Sequence, residues 1–244
     1  MNDHELAADI AHRAGRILIE LRARLHDPSV DVKALRDEAD RSSQQTIAGA
    51  IDRARPGDAV LSEEAVDDPA RLSADRVWII DPLDGTREFA EQGRTDWAVH
   101  VALVEGGQLR VGAVALPARD LVLSTWEPPK LAAPAERPRL VVSRTRPPAV
   151  TEALREALDA ELVPMGSAGA KTSAIILGDA DVYAHAGGQY EWDSAAPVAV
   201  AAAAGLHVSR LDGSPLRYNR PDPWLPDLLV CRPELAERVI TAAA

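Results

Sequence analysis

The chain has 244 residues, 46% of them apolar and 27% charged, enough to bury a core and too apolar for global disorder. With 27 Lys+Arg against 38 Asp+Glu the formal net charge is −11, which excludes a generic binder of nucleic acid or anionic membrane. The single cysteine, Cys231, excludes an intramolecular disulfide framework. The charged opening MNDHELAADIAHRAGR and the absence of a long apolar run argue against secretion and a membrane span, so a cytoplasmic protein is expected.

Leu6, Ile10, Ala14, Ile17, Leu18, Leu21 and Leu25 recur at three- and four-residue steps and predict an amphipathic opening helix, ended by Asp27-Pro28. A second helix fits 40–54, with Asp40 at its start and Ile47 and Ile51 on one face. Short strands follow at 59–62 and 77–81. Segments 97–104 and 109–116 read as a hairpin around Gly106-Gly107, with a third antiparallel strand at 121–125. Residues 127–138, EPPKLAAPAERP, lack periodicity and read as a linker between an α+β lobe (1–126) and an α/β lobe (139–244). The second lobe then alternates: strand 139–143, helix 148–159, strand 161–165, helix 169–177, strand 180–184, helix 193–204, strand 206–210.

The informative segment is Asp81-Pro82-Leu83-Asp84-Gly85-Thr86, directly after the apolar strand VWII. Pro82 is expected to stop the ladder, and Asp84-Gly85-Thr86 to open a short helix. The free N–H groups of a helix start can bind an anion, yet two adjacent carboxylates repel a phosphate. Divalent cations between them remove that conflict, because Mg²⁺ binds carboxylate and phosphate oxygens together. Glu63-Glu64 after the strand AVLS, Trp192-Asp193 before a later helix, and Asp40 enlarge this set of oxygen donors. No His or Cys cluster suggests zinc. No GxGxxG or GxxxxGK[ST] is present, so dinucleotide and ordinary P-loop readings fail. The segment GSAGAK reads either as a close backbone approach at a cleft or as a helix start. His100 and His207 lie in strand patterns and read as core or edge histidines.

These motifs, in the order Asp40, Glu63-Glu64, Asp81 to Thr86, Trp192-Asp193, resemble the inositol monophosphatase-like superfamily of lithium-sensitive, Mg²⁺-dependent phosphatases. Arg87-Glu88-Phe89 after the DPLDGT motif, together with the Lys171 segment, resembles the CysQ-type 3′-phosphoadenosine 5′-phosphate phosphatases, actinobacterial members above all. The resemblance implies a layered αβαβα sandwich of the sugar-phosphatase type and two to three Mg²⁺ ions. Glu63, Asp81 and the Leu83 carbonyl would hold one ion; Asp81, Asp84 and Asp193 a second; Asp40 with Glu63 a weaker third. The Gly85 and Thr86 amides would take the phosphate, and the Thr86 hydroxyl, bonded to a carboxylate, would orient the attacking water. Thr86, Glu63, Asp40 and Asp84 are thus the catalytic set, and Gly85, Thr86, Arg87, Ser167, Lys171 and His185 the substrate-binding set.

The implied reaction removes the 3′-phosphate of 3′-phosphoadenosine 5′-phosphate, in support of sulfate assimilation. An inositol-1-phosphate or fructose-1,6-bisphosphate phosphatase is the enzymatic alternative, and an inactive metal or nucleotide sensor the non-enzymatic one. The expected partner is a small phosphorylated molecule, with no nucleic-acid polymer and no membrane, the chain being a monomer or homodimer. Inositol phosphatases of the superfamily carry an acid shortly before the WD pair; here that position falls on His185 or Ala186. A partly protonated His185, with Lys171, is expected to pair with the phosphate left on the product.

Overall fold

The structure, a computed structural model, describes residues 1–244. Helix α1 (Asp3–Arg22) begins in a reciprocal cap: the Asn2 side chain accepts from the Glu5 amide and Glu5 accepts from the Asn2 amide. A 3-10 turn, Ala23–His26, carries the chain on to Asp27. Helix α2 spans Val32–Ala54, eight residues longer at its start than the apolar pattern predicts. Its cap is Asp31, whose carboxylate accepts from the Lys33 and Ala34 amides, and the first turns bury only Leu35 and Ala39. Asp40 therefore lies in the body of α2 and not at its start.

The first sheet has the order β1 (Ala59–Ser62), β2 (Arg76–Asp84), β3 (Ala98–Glu105), β4 (Gln108–Leu116) and β5 (Leu121–Ser124). The β1–β2 pair is parallel and the others antiparallel, with the predicted hairpin between β3 and β4. Strand β2 does not stop at Pro82. Its pairing with β3 shifts register between Asp81 and Asp84 and resumes at Asp84 opposite Ala98, so the proline sits in a bulge.

The second sheet has the order β7 (Glu161–Met165), β6 (Arg139–Ser143), β8 (Val182–Tyr190), β10 (Trp224–Cys231) and β9 (His207–Ser209). β6 pairs in parallel with β7 and β8, whereas β10 runs antiparallel to β8 and β9. Residues 127–138 carry no helix or strand.

Five layers result. α1 and α2 cover one face of the first sheet. Helices α5 (Ala168–Leu177) and α6 (Glu191–Ala203) lie between the two sheets. Helices α4 (Thr151–Leu158) and α7 (Ala236–Ala243) close the outer face of the second sheet. This is the αβαβα sandwich expected from the resemblance.

Strand β2 shows how the layers are specified. Trp78 and Ile80 join the core under α1 and α2, while Val77 and Ile79 join the core under α6. All four are fully buried, each contributing about 1.5–3 kcal/mol by leaving water. The two-residue period of a strand puts Asp81 on the face of Val77 and Ile79, toward the middle layer. That layer is where α6 begins with Glu191-Trp192-Asp193. No helix is long and apolar enough to cross a membrane.

Candidate active site

Asp81, Asp84 and Asp193 each place a carboxylate oxygen within 4.8 Å of the others. The first two come from the bulged end of β2, the third from the first turn of α6. The bulge is braced locally: the Leu83 amide donates to Asp81 Oδ1 at 3.0 Å, and Ser43 Oγ on α2 donates to the Pro82 carbonyl at 2.7 Å. Gly85 follows at φ +89°, a left-handed conformation a side chain would strain, and helix α3 (Thr86–Phe89) starts there. The Thr86 hydroxyl donates to the Leu83 carbonyl at 3.2 Å, so its expected carboxylate partner is corrected to a backbone oxygen.

Asp84 is held from the α5 side. Its Oδ2 accepts from Ser167 Oγ at 2.5 Å and from the Gly169 amide at 2.7 Å, and His100 Nε2 lies 3.2 Å away. Two hydrogen-bond donors converge on one oxygen with the imidazole beside it, which leaves Oδ1 for another partner. His100 Nδ1 donates to the Trp192 carbonyl at 3.0 Å, next to Asp193. A side chain at position 169 would strike the His100 ring, with its Cβ 2.1 Å from Nε2; GSAGAK is thus a helix start capped by Ser167, and its close approach is to the buried His100 ring.

His100 is the residue that sequence reasoning missed. It lies opposite Asp81 in the β2–β3 register, the only polar residue between Ala98 and Val104 in a fully buried strand. That position was the available signal.

The electrostatics of the cluster are conflicted. Burial would raise Asp84, but the His100 charge and the hydrogen bonds hold it down at about 2. Burial and the neighbouring carboxylates push Asp81 well above its ordinary value and Asp193 up to about 6. Glu63, at the end of β1, is raised to about 7 by burial and by Asp193 and Asp84. Asp40 is raised to about 7 by burial first and then by Glu64 and Asp37, so its strongest acidic neighbour is Glu64. Crowded oxygen donors without a Cys or neutral His ligand fit a hard divalent cation, whose charge relieves the repulsion.

Comparison with known proteins gives the same direction. The profile described as the inositol monophosphatase family matches residues 3–244. The chain belongs to the inositol monophosphatase family. A Mycobacterium tuberculosis relative named 3′-phosphoadenosine 5′-phosphate phosphatase is 54% identical over 241 residues, 95% of this chain and 89% of the relative. The 3′(2′),5′-bisphosphate nucleotidase CysQ of Shigella flexneri is 33% identical over 202 residues, 77% of this chain and 80% of that protein. Among solved structures, CysQ from Bacteroides thetaiotaomicron superposes with a TM-score of 0.81 at 28% identity, covering 94% of this chain and 97% of that one.

The carboxylate cluster adjoins a cavity of about 530 Å³ that Asp84, Asp193, Ser167, Lys171 and His185 help to line. Lys171 is buried, donates to the Ser167 carbonyl at 2.7 Å and sits 5.1 Å from the centre of the Tyr183 ring. His185 lies in the middle of β8, which runs on to Tyr190 beyond the predicted end at 184, because Ala186 to Tyr190 pair with β10. Its Nε2 donates to the Gly188 carbonyl at 2.8 Å, and burial pushes the ring below its ordinary pKa. The expected partial protonation is thereby corrected. Arg87 is exposed and lies outside the cavity lining. Nearby, Arg144 Nε donates to Glu88 at 2.7 Å and the Gly166 amide to Asp96 at 2.6 Å, tying the end of β6 and the loop before α5 to the segment after the DPLDGT motif.

Proposed function

We propose that the chain is a metal-dependent phosphomonoesterase acting in the cytoplasm, hydrolysing the 3′-phosphate of 3′-phosphoadenosine 5′-phosphate to AMP and phosphate. The observation that carries this reading is the convergence of Asp81, Asp84 and Asp193, the last two lining one cavity, in a chain 54% identical to a phosphatase of that name. Inositol phosphates are the alternative substrates against which it is tested.

In this reading Asp81, Asp84 and Asp193 hold one Mg²⁺, Glu63, Asp81 and the Leu83 carbonyl another, and Asp40 with Glu63 a weaker third, with Li⁺ as an inhibitor. Bound divalent cation supplies a nucleophilic water at neutral pH and neutralises charge on the phosphoryl oxygens. The chain's own residues do the rest. Thr86 spends its proton on the Leu83 carbonyl, so its oxygen accepts from the attacking water and fixes that water's direction. The Gly85 and Thr86 amides would take the phosphate. A water near Asp193 would deliver the proton to the departing ribose oxygen. Ser167, Gly169 and His100 keep Asp84 ionised and in one orientation. The two-lobe division, 1–126 and 139–244 around the 127–138 connection, belongs to the same reading.

Product analysis tests it. Incubation of the bisphosphate with enzyme and Mg²⁺ should give AMP and one equivalent of phosphate. Adenosine 3′-phosphate as the product, or no phosphate at all, contradicts it.

A further inference from the structure

We propose that Arg146 reads the second phosphate of the substrate, the 5′-phosphate that stays on the product. The inference rests on the bisphosphate reading above and names the group that enforces it. Three cationic or basic side chains line the cavity beside Asp84 and Asp193: Lys171, His185 and Arg146. The first two are already engaged. Lys171 donates to the carbonyls of Ser167 and Gly166 and packs on Tyr183, and His185 donates to Gly188. The Arg146 guanidinium has neither an ion-pair partner nor a hydrogen bond within the chain; only its backbone amide is bonded, to Ser143 Oγ at 3.2 Å.

The contrast with Arg144 is informative. That side chain, two residues earlier and half-buried, is bound to Glu88 and Glu91. The Arg144 amide is in turn fixed to the Met165 carbonyl at 3.1 Å. Arg146 thus leaves a braced anchor, and Pro147-Pro148 follow it, restricting its backbone to extended conformations. A free guanidinium on a short, restrained loop at the wall of a cavity suits a phosphate, which it grips in a planar two-point contact. Asp84 and Asp193 line the same cavity, so a cationic side chain there favours a substrate bearing two phosphates.

The test compares two nucleotides that differ only in this phosphate, 3′-phosphoadenosine 5′-phosphate and adenosine 3′-phosphate, in wild type, Arg146→Gln and Arg146→Lys. Wild type should prefer the bisphosphate. Arg146→Gln should lose roughly 10- to 100-fold in kcat/KM on the bisphosphate, mainly through KM, and stay within about twofold on adenosine 3′-phosphate. Inhibition by AMP should weaken in parallel, and Arg146→Lys should recover part of each loss. The inference is overturned if wild type does not distinguish the two nucleotides, or if Arg146→Gln lowers both equally or neither. No cleavage of the bisphosphate by wild type would instead overturn the substrate reading on which it rests.

Discussion

Ser167 Oγ donates to Asp84 Oδ2 at 2.5 Å, joining residues 83 positions apart in the chain and tying the start of α5 to the end of β2. The same serine caps α5 by accepting from the Ala170 amide at 2.9 Å. Ser167→Ala should therefore cost about 1 kcal/mol of stability from the lost cap and lower divalent-cation affinity by roughly 10- to 100-fold. Thermal unfolding and calorimetric titration with Mg²⁺ measure the two effects separately. Unchanged cation affinity would remove Ser167 from the site and leave it only a cap.

A pH dependence follows from the crowded carboxylates. In the metal-free protein Asp40 and Glu63 titrate at about 7 and Asp193 at about 6, against ordinary values of 3.8, 4.5 and 3.8. Between those limits the folded chain holds more protons than the unfolded chain, so stability falls as pH rises through the window. In EDTA the melting temperature should drop between about pH 5 and 7.5, and Mg²⁺ at the upper pH should restore it. A melting temperature that rises across this range would contradict the cluster.

Two substitutions separate chemistry from folding. Thr86→Ala removes one exchangeable hydrogen bond at a half-buried position, so folding should be nearly unchanged while kcat falls by about 10²-fold or more. Asp84→Asn behaves differently, because Asp84 is buried and bonded to Ser167 and Gly169 beside His100. It should lose activity and also about 1–3 kcal/mol of stability. Steady-state kinetics with parallel denaturant titrations give both numbers; near-normal kcat in Thr86→Ala would show that the hydroxyl does not direct the water.

Much of this site was legible in the sequence because its carboxylates sit where local rules place them. Asp81 follows the apolar run of β2, whose two-residue period sends it toward the middle layer, and Asp193 lies in the first turn of the apolar helix α6. What escaped depends on contacts distant in sequence. β8 continues through Gly187-Gly188 because β10, more than thirty residues later, supplies its hydrogen bonds. The start of α2 was hidden because its first two turns are largely polar and exposed, and only the Asp31 cap marks them. His100 looked like a core histidine, and it is one; the carboxylate beside it is set by the β2 bulge and the approach of α5, neither of which has a local pattern.

His185 provides a further check on that correction. With its ring bonded to Gly188 and its pKa lowered by burial, His185→Ala should change the ratio of kcat/KM for bisphosphate over inositol 1-phosphate by less than about threefold. A tenfold or greater narrowing would return the phosphate-pairing role to His185.

The most direct measurement is kcat/KM for 3′-phosphoadenosine 5′-phosphate and inositol 1-phosphate side by side, in Mg²⁺ and again in excess EDTA. The account predicts a higher value for the bisphosphate in Mg²⁺ and no turnover of either substrate in EDTA. Full activity in EDTA would contradict the role of Asp81, Asp84 and Asp193, and a higher value for inositol 1-phosphate would contradict the nucleotide assignment.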